Sequence, residues 1–318
     1  MALDMTPLEN DTLGGRIYRR LTDIPSWGLW IIVIVWTIPS LSLFVNSFRS
    51  QSDQRNFGFW TMLWGEGEGL TLENYDITLS QPGADNIWQS VISSFAIAIP
   101  ATIIPIAFAA FAAYAFAWID FKGREWLFIV TISLLAIPLQ VALIPLLQTY
   151  VGGAHWTLPF TEKTITLIPD LDLNTRGSIA VWLTHTGFAM PFAIFLLHNY
   201  ISELPKEVFE SARLDGADHF TIFWRLVLPL SVPALAAFAI FQFLWTWNDF
   251  LIALTMLSGG NPVDLPTTVK IANLAGDFGR NEHLLPAGAF VQAFVPLVVF
   301  FTLQRFFVRG LLAGSVKG

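Results

Sequence analysis

The stretch ELPKEVFESARLDGADHFTIFWRLVLP, residues 203–229, is far more charged than the long apolar runs on either side of it, and its reading decides how the chain is built. Pro205 suits the first turn of a helix, where its missing N–H costs nothing. From there Val208, Phe209 and Ala212 fall on one side at helical spacing, while Glu207, Glu210, Ser211 and Leu214 lie round the other. Gly216 is the natural residue for a left-handed helix end. Phe220, Phe223, Trp224 and Val227 then restart a helical pattern that runs into Leu228 and Pro229. The expectation is two short helices reversing at Asp215-Gly216, a stiff polar knob anchored at both ends to apolar segments.

Those neighbours set the class of the chain. Hydrophobic residues make up 54% of the 318 residues and charged residues 13%, against about 25% charged in an ordinary soluble domain. The mean hydropathy of +0.58 agrees. So much apolar surface calls for several membrane spans. The chain has no cysteine, which excludes disulfides, thiolate metal sites and cysteine nucleophiles. A net charge of -7 without a Lys/Arg run gives no basis for nucleic-acid binding.

Working outward from the knob, six spans are expected: 27–48, 91–118, 126–150, 178–199, 229–257 and 285–303. The first is too long and too aromatic for a cleaved signal peptide, so it counts as an uncleaved span. The alanine-rich run AAFAAYAFA in the second suits close helix packing. The organisation is then a cytoplasmic segment 1–26, the first span 27–48, an outer loop 49–90, a core 91–303 holding five spans and the knob, and a tail 304–318. Orientation follows from the basic residues. Eleven of the 17 Lys and Arg fall in the amino-terminal segment, the 120–125 connector, the knob and the tail, whereas six lie in the three longer loops. The knob and both termini are therefore expected in the cytoplasm.

No Lys or Arg falls inside a span, and Asp249 is the acidic residue that does. An ionisable group in hydrocarbon normally faces a cavity or a partner. Pro100, Pro105, Pro138, Pro145, Pro191, Pro233 and Pro296 interrupt the spans. Kinked helices with almost no charge suit a path for a neutral solute better than a proton relay.

With these features in place, the knob resembles a known motif. Glu210-Ser211-Ala212, three residues, Gly216, nine residues, then Leu226-Val227-Leu228-Pro229 is similar to the EAA loop of bacterial ABC importer permeases, with Ser211 for the first alanine and Leu226 for isoleucine. The run from Ile87-Trp88-Gln89-Ser90, the stretch WNDFLIAL at 247–254 and the closing QRFFVRGLLAGSVKG resemble the carbohydrate, MalG-like type of subunit. The resemblance spans roughly residues 25–318. It implies an all-α type I importer permease fold in a bacterial inner membrane. It also implies a second, MalF-like permease, two ATPase subunits, an extracytoplasmic sugar-binding protein and a di- or oligosaccharide solute.

In that family the knob is the coupling helix. The resemblance assigns ATPase coupling to Glu207, Glu210, Ser211, Ala212, Asp215, Gly216, Leu228 and Pro229. No GxxxxGK[ST] stretch is present, so ATP and Mg²⁺ are expected on the partner ATPase, with no catalytic residue, cofactor or metal in this chain. Two readings stand for Trp245, Trp247, Asn248 and Asp249. One is a polar, aromatic wall of the sugar path; the other is an interfacial aromatic belt in which Asp249 holds a helix end. His185 and His198, thirteen positions apart, read as packed histidines, and Glu66 and Glu68 as a solvated loop.

Overall fold

The computed structural model describes residues 26–80, 86–158, 163–257, 259, 265–274, 279 and 281–313. The basic segment before residue 26, the Pro82-Gly83 turn and the last five residues of the tail lie outside the described residues. In chain order, α1 (Ser26–Ser47) is a continuous apolar helix. A compact loop follows, with α2 (Gln51–Asn56), a 3₁₀ turn at Phe59–Trp64 and α3 (Glu73–Leu79). Next come α4 (Trp88–Trp118), α5 (Arg124–Ser133) and α6 (Leu139–Gly152). Strands β1 (Ala154–Thr157) and β2 (Thr164–Ile168) pair antiparallel ahead of α7 (Leu173–Ser202). The knob comprises α8 (Lys206–Leu214) and α9 (His219–Leu230). The chain closes with α10 (Val232–Trp247), α11 (Leu251–Leu257), α12 (Thr267–Leu274) and α13 (Leu285–Ala313).

Among the described residues, four helices are long and apolar enough to cross a membrane, and two bent pairs raise the number to six if each pair is one crossing. The expected third span, 126–150, is not straight. α5 and α6 meet at 101° beside Pro138, which lacks the N–H that would continue the helix. The expected fifth span begins after a 70° bend at Ser231, between Pro229 and Pro233, and breaks again at Asn248–Phe250. By contrast Pro100, Pro105, Pro145, Pro191 and Pro296 sit inside continuous helices. Such prolines are tolerated where neighbours satisfy the freed carbonyls. The β1–β2 hairpin is a departure from a purely helical expectation. Strand β2 carries the largely β-branched run Thr164-Ile165-Thr166-Leu167-Ile168, which suits a pleated surface.

α4 and α7 form the spine, and small residues explain how closely they pack. Ala109, Ala110 and Ala113 of α4 and Ala189 and Ala193 of α7 are all buried in one cluster, and alanine lets the two backbones approach. α10 and α13 lie alongside. α1 touches mainly α13, and none of its most apolar stretch is buried within the chain. The loop after α1 is a built unit. Buried Arg49 donates to the carbonyls of Asp53 (3.1 Å) and Phe57 (3.3 Å), while the Asp53 carboxylate accepts from the Glu68 N–H at 2.9 Å. Glu66 and Glu68 themselves are exposed.

Candidate functional site

The knob reverses through a Schellman turn. The Ala217 N–H reaches back to the Ala212 carbonyl (2.9 Å) and the Gly216 N–H to the Arg213 carbonyl (3.0 Å), closing the end of α8. Gly216 has φ +83°, a left-handed conformation that side chains disfavour, and a Cβ placed there would meet nothing within 4 Å. The need for glycine is therefore conformational, and the turn presents open backbone. Asp218 then caps α9 by accepting from the Thr221 N–H at 2.8 Å. The Thr221 hydroxyl and this backbone bond hold the Asp218 carboxyl below the usual carboxylate range, so the cap is intact at neutral pH and is lost as acid protonates it. In α9 the turn Phe223–Val227 widens to π geometry just before Pro229. Widening of this kind accommodates a residue that cannot accept the α-helical pattern.

The eight residues assigned to coupling divide into two sets. Glu207, Glu210, Ser211, Asp215, Gly216 and Pro229 are exposed, whereas Ala212 and Leu228 pack against the buried cluster. Leu214 was placed on the outer side and is 89% exposed, the barest large apolar side chain of the knob, with Phe220 next at 67%. An apolar tip of this kind was not among the assigned residues.

What holds the knob was also missed. The last turns of α4 grip both of its helices. Trp118 stacks on Phe209 of α8 with ring centres 3.8 Å apart, and its Nε1–H donates to the Ile201 carbonyl at 3.0 Å. One turn earlier, the Tyr114 hydroxyl shares a 2.8 Å hydrogen bond with His219 Nδ1 of α9, and Phe111 stacks on Phe223 at 4.3 Å. Phe209, Ile222, Phe223 and Val227 are buried in the same cluster as the α4 and α7 alanines. The knob is thus packed onto α4 and α7 through one shared buried cluster. Tyr114→Phe removes only the hydroxyl and is expected to cost about 1 kcal/mol of stability, read as a lower unfolding midpoint in detergent. An unchanged midpoint would remove this bond from the clamp.

The second candidate site lies near the other end of α4. Phe95 of α4 packs on Trp247 at 4.8 Å, and residues 95 and 118 are roughly 35 Å apart along the helix at 1.5 Å per residue. Here the two broken crossings converge on a cleft of about 650 Å³, lined by Leu139, Gln140, Phe241, Leu244, Trp245, Asn248, Asp249, Phe250 and Leu251. Irregular backbone at membrane depth is tolerated where protein or a water-filled cavity covers it. Trp245, Asn248 and Asp249 share this wall. Trp247 does not: it is buried, and its Nε1–H donates to the Gln292 carbonyl at 3.0 Å while Gln292 Nε2 donates back to the Trp247 carbonyl at 3.0 Å. Asp249 does hold a helix end, accepting from the N–H groups of Ile252 (3.3 Å) and Ala253 (3.0 Å). Its own carbonyl accepts from the Thr268 hydroxyl of α12 at 2.6 Å. His198 packs against Phe128 with ring centres 4.3 Å apart, as a packed histidine should.

Apolar crossings broken around a cleft, with a stiff polar hairpin locked to one end, define a membrane permease subunit. The chain belongs to the family of binding-protein-dependent transport system inner membrane components, whose profile matches residues 106–314. It is 47% identical over 90% of its length to the osmoprotective compounds uptake permease protein GgtD of Synechocystis sp., covering 89% of that protein. It is 48% identical over 86% of its length to the alpha-glucoside transport system permease protein AglG of Rhizobium meliloti, covering 68% of it. Among solved structures, a subunit of a bacterial ABC transporter that imports the acidic polysaccharide alginate has the same fold, with a TM-score of 0.65 at 18% identity over 95% of this chain and all of that one. The fold is that of a type I ABC importer permease, and the chain is an inner-membrane, multi-pass component of such a transporter.

Proposed function

We propose that this chain is one of two permease subunits of an ATP-driven importer for a di- or oligosaccharide of the α-glucoside type. The observation that carries the reading is the knob, clamped to α4 and α7 by Trp118 and Tyr114 while Glu207, Glu210, Ser211, Asp215 and Gly216 stay exposed. A rigid body with a free polar face is built to be moved by something docked on it. In this reading that partner is a pair of ATPase subunits, which bind ATP and Mg²⁺. Exposed Leu214 supplies an apolar contact at the tip, and Glu207 and Glu210 face basic groups. The density of Lys and Arg supports a cytoplasmic knob and cytoplasmic termini. A second, MalF-like permease completes the cavity, and an external sugar-binding protein delivers the solute. The relative named for alpha-glucoside transport supports the solute class.

The cleft beside the broken crossings is the part of the path that this chain supplies. Trp245 offers a ring to sugar C–H faces, and Asn248, Asp249 and Gln140 offer hydrogen bonds to hydroxyls. The test is uptake of a labelled α-glucoside by vesicles carrying the chain together with its second permease, the ATPase pair and the binding protein. Uptake should need ATP and the binding protein. Uptake driven by an ion gradient in ATP-depleted vesicles would overturn the reading. Trp245→Ala is expected to raise KM for uptake on the order of tenfold with little change in Vmax. An unchanged KM would remove Trp245 from the path.

A further inference from the structure

His185 sits on α7 directly behind the cleft wall. It is fully buried, and neither ring nitrogen has a hydrogen-bond partner. A buried imidazole with both nitrogens open is costly unless a neighbouring group is poised to use it. Two groups lie against it, and both line the cleft. Its Nε2 is 3.7 Å from Asp249 Oδ2, and its ring meets Trp245 edge-on with centres 5.6 Å apart. The distance to Asp249 is slightly too long for a hydrogen bond, so a shift of roughly half an ångström would make one.

The carboxylate's other commitments define what that bond would do. Each Asp249 oxygen already accepts one backbone N–H from α11, which fixes the carboxylate on the helix end. A donor at His185 Nε2 would hold it from behind, leaving its remaining lone pairs for a donor arriving through the cleft. A solute hydroxyl is such a donor; an ionised solute carboxylate brings only acceptors and would set them against the acceptor oxygens of Asp249. We propose that His185 is a positioning residue for Asp249, and that this pair makes the cleft select neutral, hydroxyl-bearing saccharides over acidic ones of the same size. The inference rests on the cleft being part of the solute path.

The test uses the whole transporter in vesicles, with a neutral α-linked glucose disaccharide as labelled substrate and a same-sized disaccharide carrying one glucuronate as competitor. His185→Leu is expected to raise KM for the neutral sugar about tenfold while Vmax and the amount in the membrane stay within about twofold of wild type. His185→Gln, which keeps an N–H donor, should restore KM to within about threefold. Asp249→Asn, which keeps one of the two acceptors of the α11 cap and turns the other into a donor, should strengthen inhibition by the glucuronate at least tenfold. A fall in Vmax or membrane content without a change in KM would assign His185 a purely structural role and overturn the proposal. So would unchanged competition in Asp249→Asn. If wild-type vesicles take up neither sugar, the reading of the cleft fails as well; if Trp245→Ala alone shifts KM, only the role of His185 fails.

Discussion

Gly216→Pro is expected to abolish ATP-driven uptake, with transport falling to background and the permease still present in the membrane. Proline fixes φ near −65°, whereas this turn holds φ at +83°. Proline also removes the N–H that closes α8 on the Arg213 carbonyl. The two knob helices would then diverge, and the exposed face of α8 would leave its place relative to α9. Gly216→Ala isolates the backbone term, because open space surrounds the position and only the left-handed strain of about 1–2 kcal/mol is added. It should therefore reduce uptake partially. Normal uptake by the proline variant would show that the reversal at Gly216 is not what couples this chain to its energy source.

Trp118→Ala is the second large effect. The substitution removes an indole stacked on Phe209 and a donor to Ile201, at the junction of α4 with the knob. Trp118 is half-buried, so emptying its site costs less than the roughly 3–5 kcal/mol of a fully buried aromatic, yet Phe209, itself only 1% exposed, would lose its cover. The expected outcome is a knob detached from the bundle: solute-stimulated ATP hydrolysis falls sharply, while the crossings remain inserted. Trp118→Phe keeps a ring against Phe209 and should recover much of the activity. Equal losses in Trp118→Ala and Trp118→Phe would place the effect on the indole N–H alone.

The knob was legible because its signals are local. A glycine at a reversal and prolines before and after two short amphipathic patterns determine backbone geometry by themselves. The helix breaks were not legible to the same degree. Seven prolines looked equivalent, yet Pro138 sits at a break while Pro145, in the adjoining helix, is absorbed. Which outcome follows depends on the neighbours that satisfy the freed carbonyls, and those are brought in from distant parts of the chain. Trp247 illustrates a different limit. Residues two apart on an α-helix point about 200° apart, so Trp245 and Trp247 could not both face one cleft. The sequence reading set both on one wall, and it is the packing of Trp247 against Gln292 of α13 that turns this ring away from the cleft. The clamp at Tyr114 and Trp118 was hidden because an aromatic residue near the end of a span looks like an interfacial anchor. The partner rings lie some hundred residues away.

The paired bonds between Trp247 and Gln292, together with the bond from Thr268 to the Asp249 carbonyl, turn a gap in a helix into a welded corner. A discontinuous crossing usually reads as a hinge, the weak point at which a protein folds upon itself. Here the loose ends are riveted to α12 and α13, so that corner can only swing as part of a larger frame. Play in the machine is then left to the kinked crossing beside Pro138, on the far side of the opening.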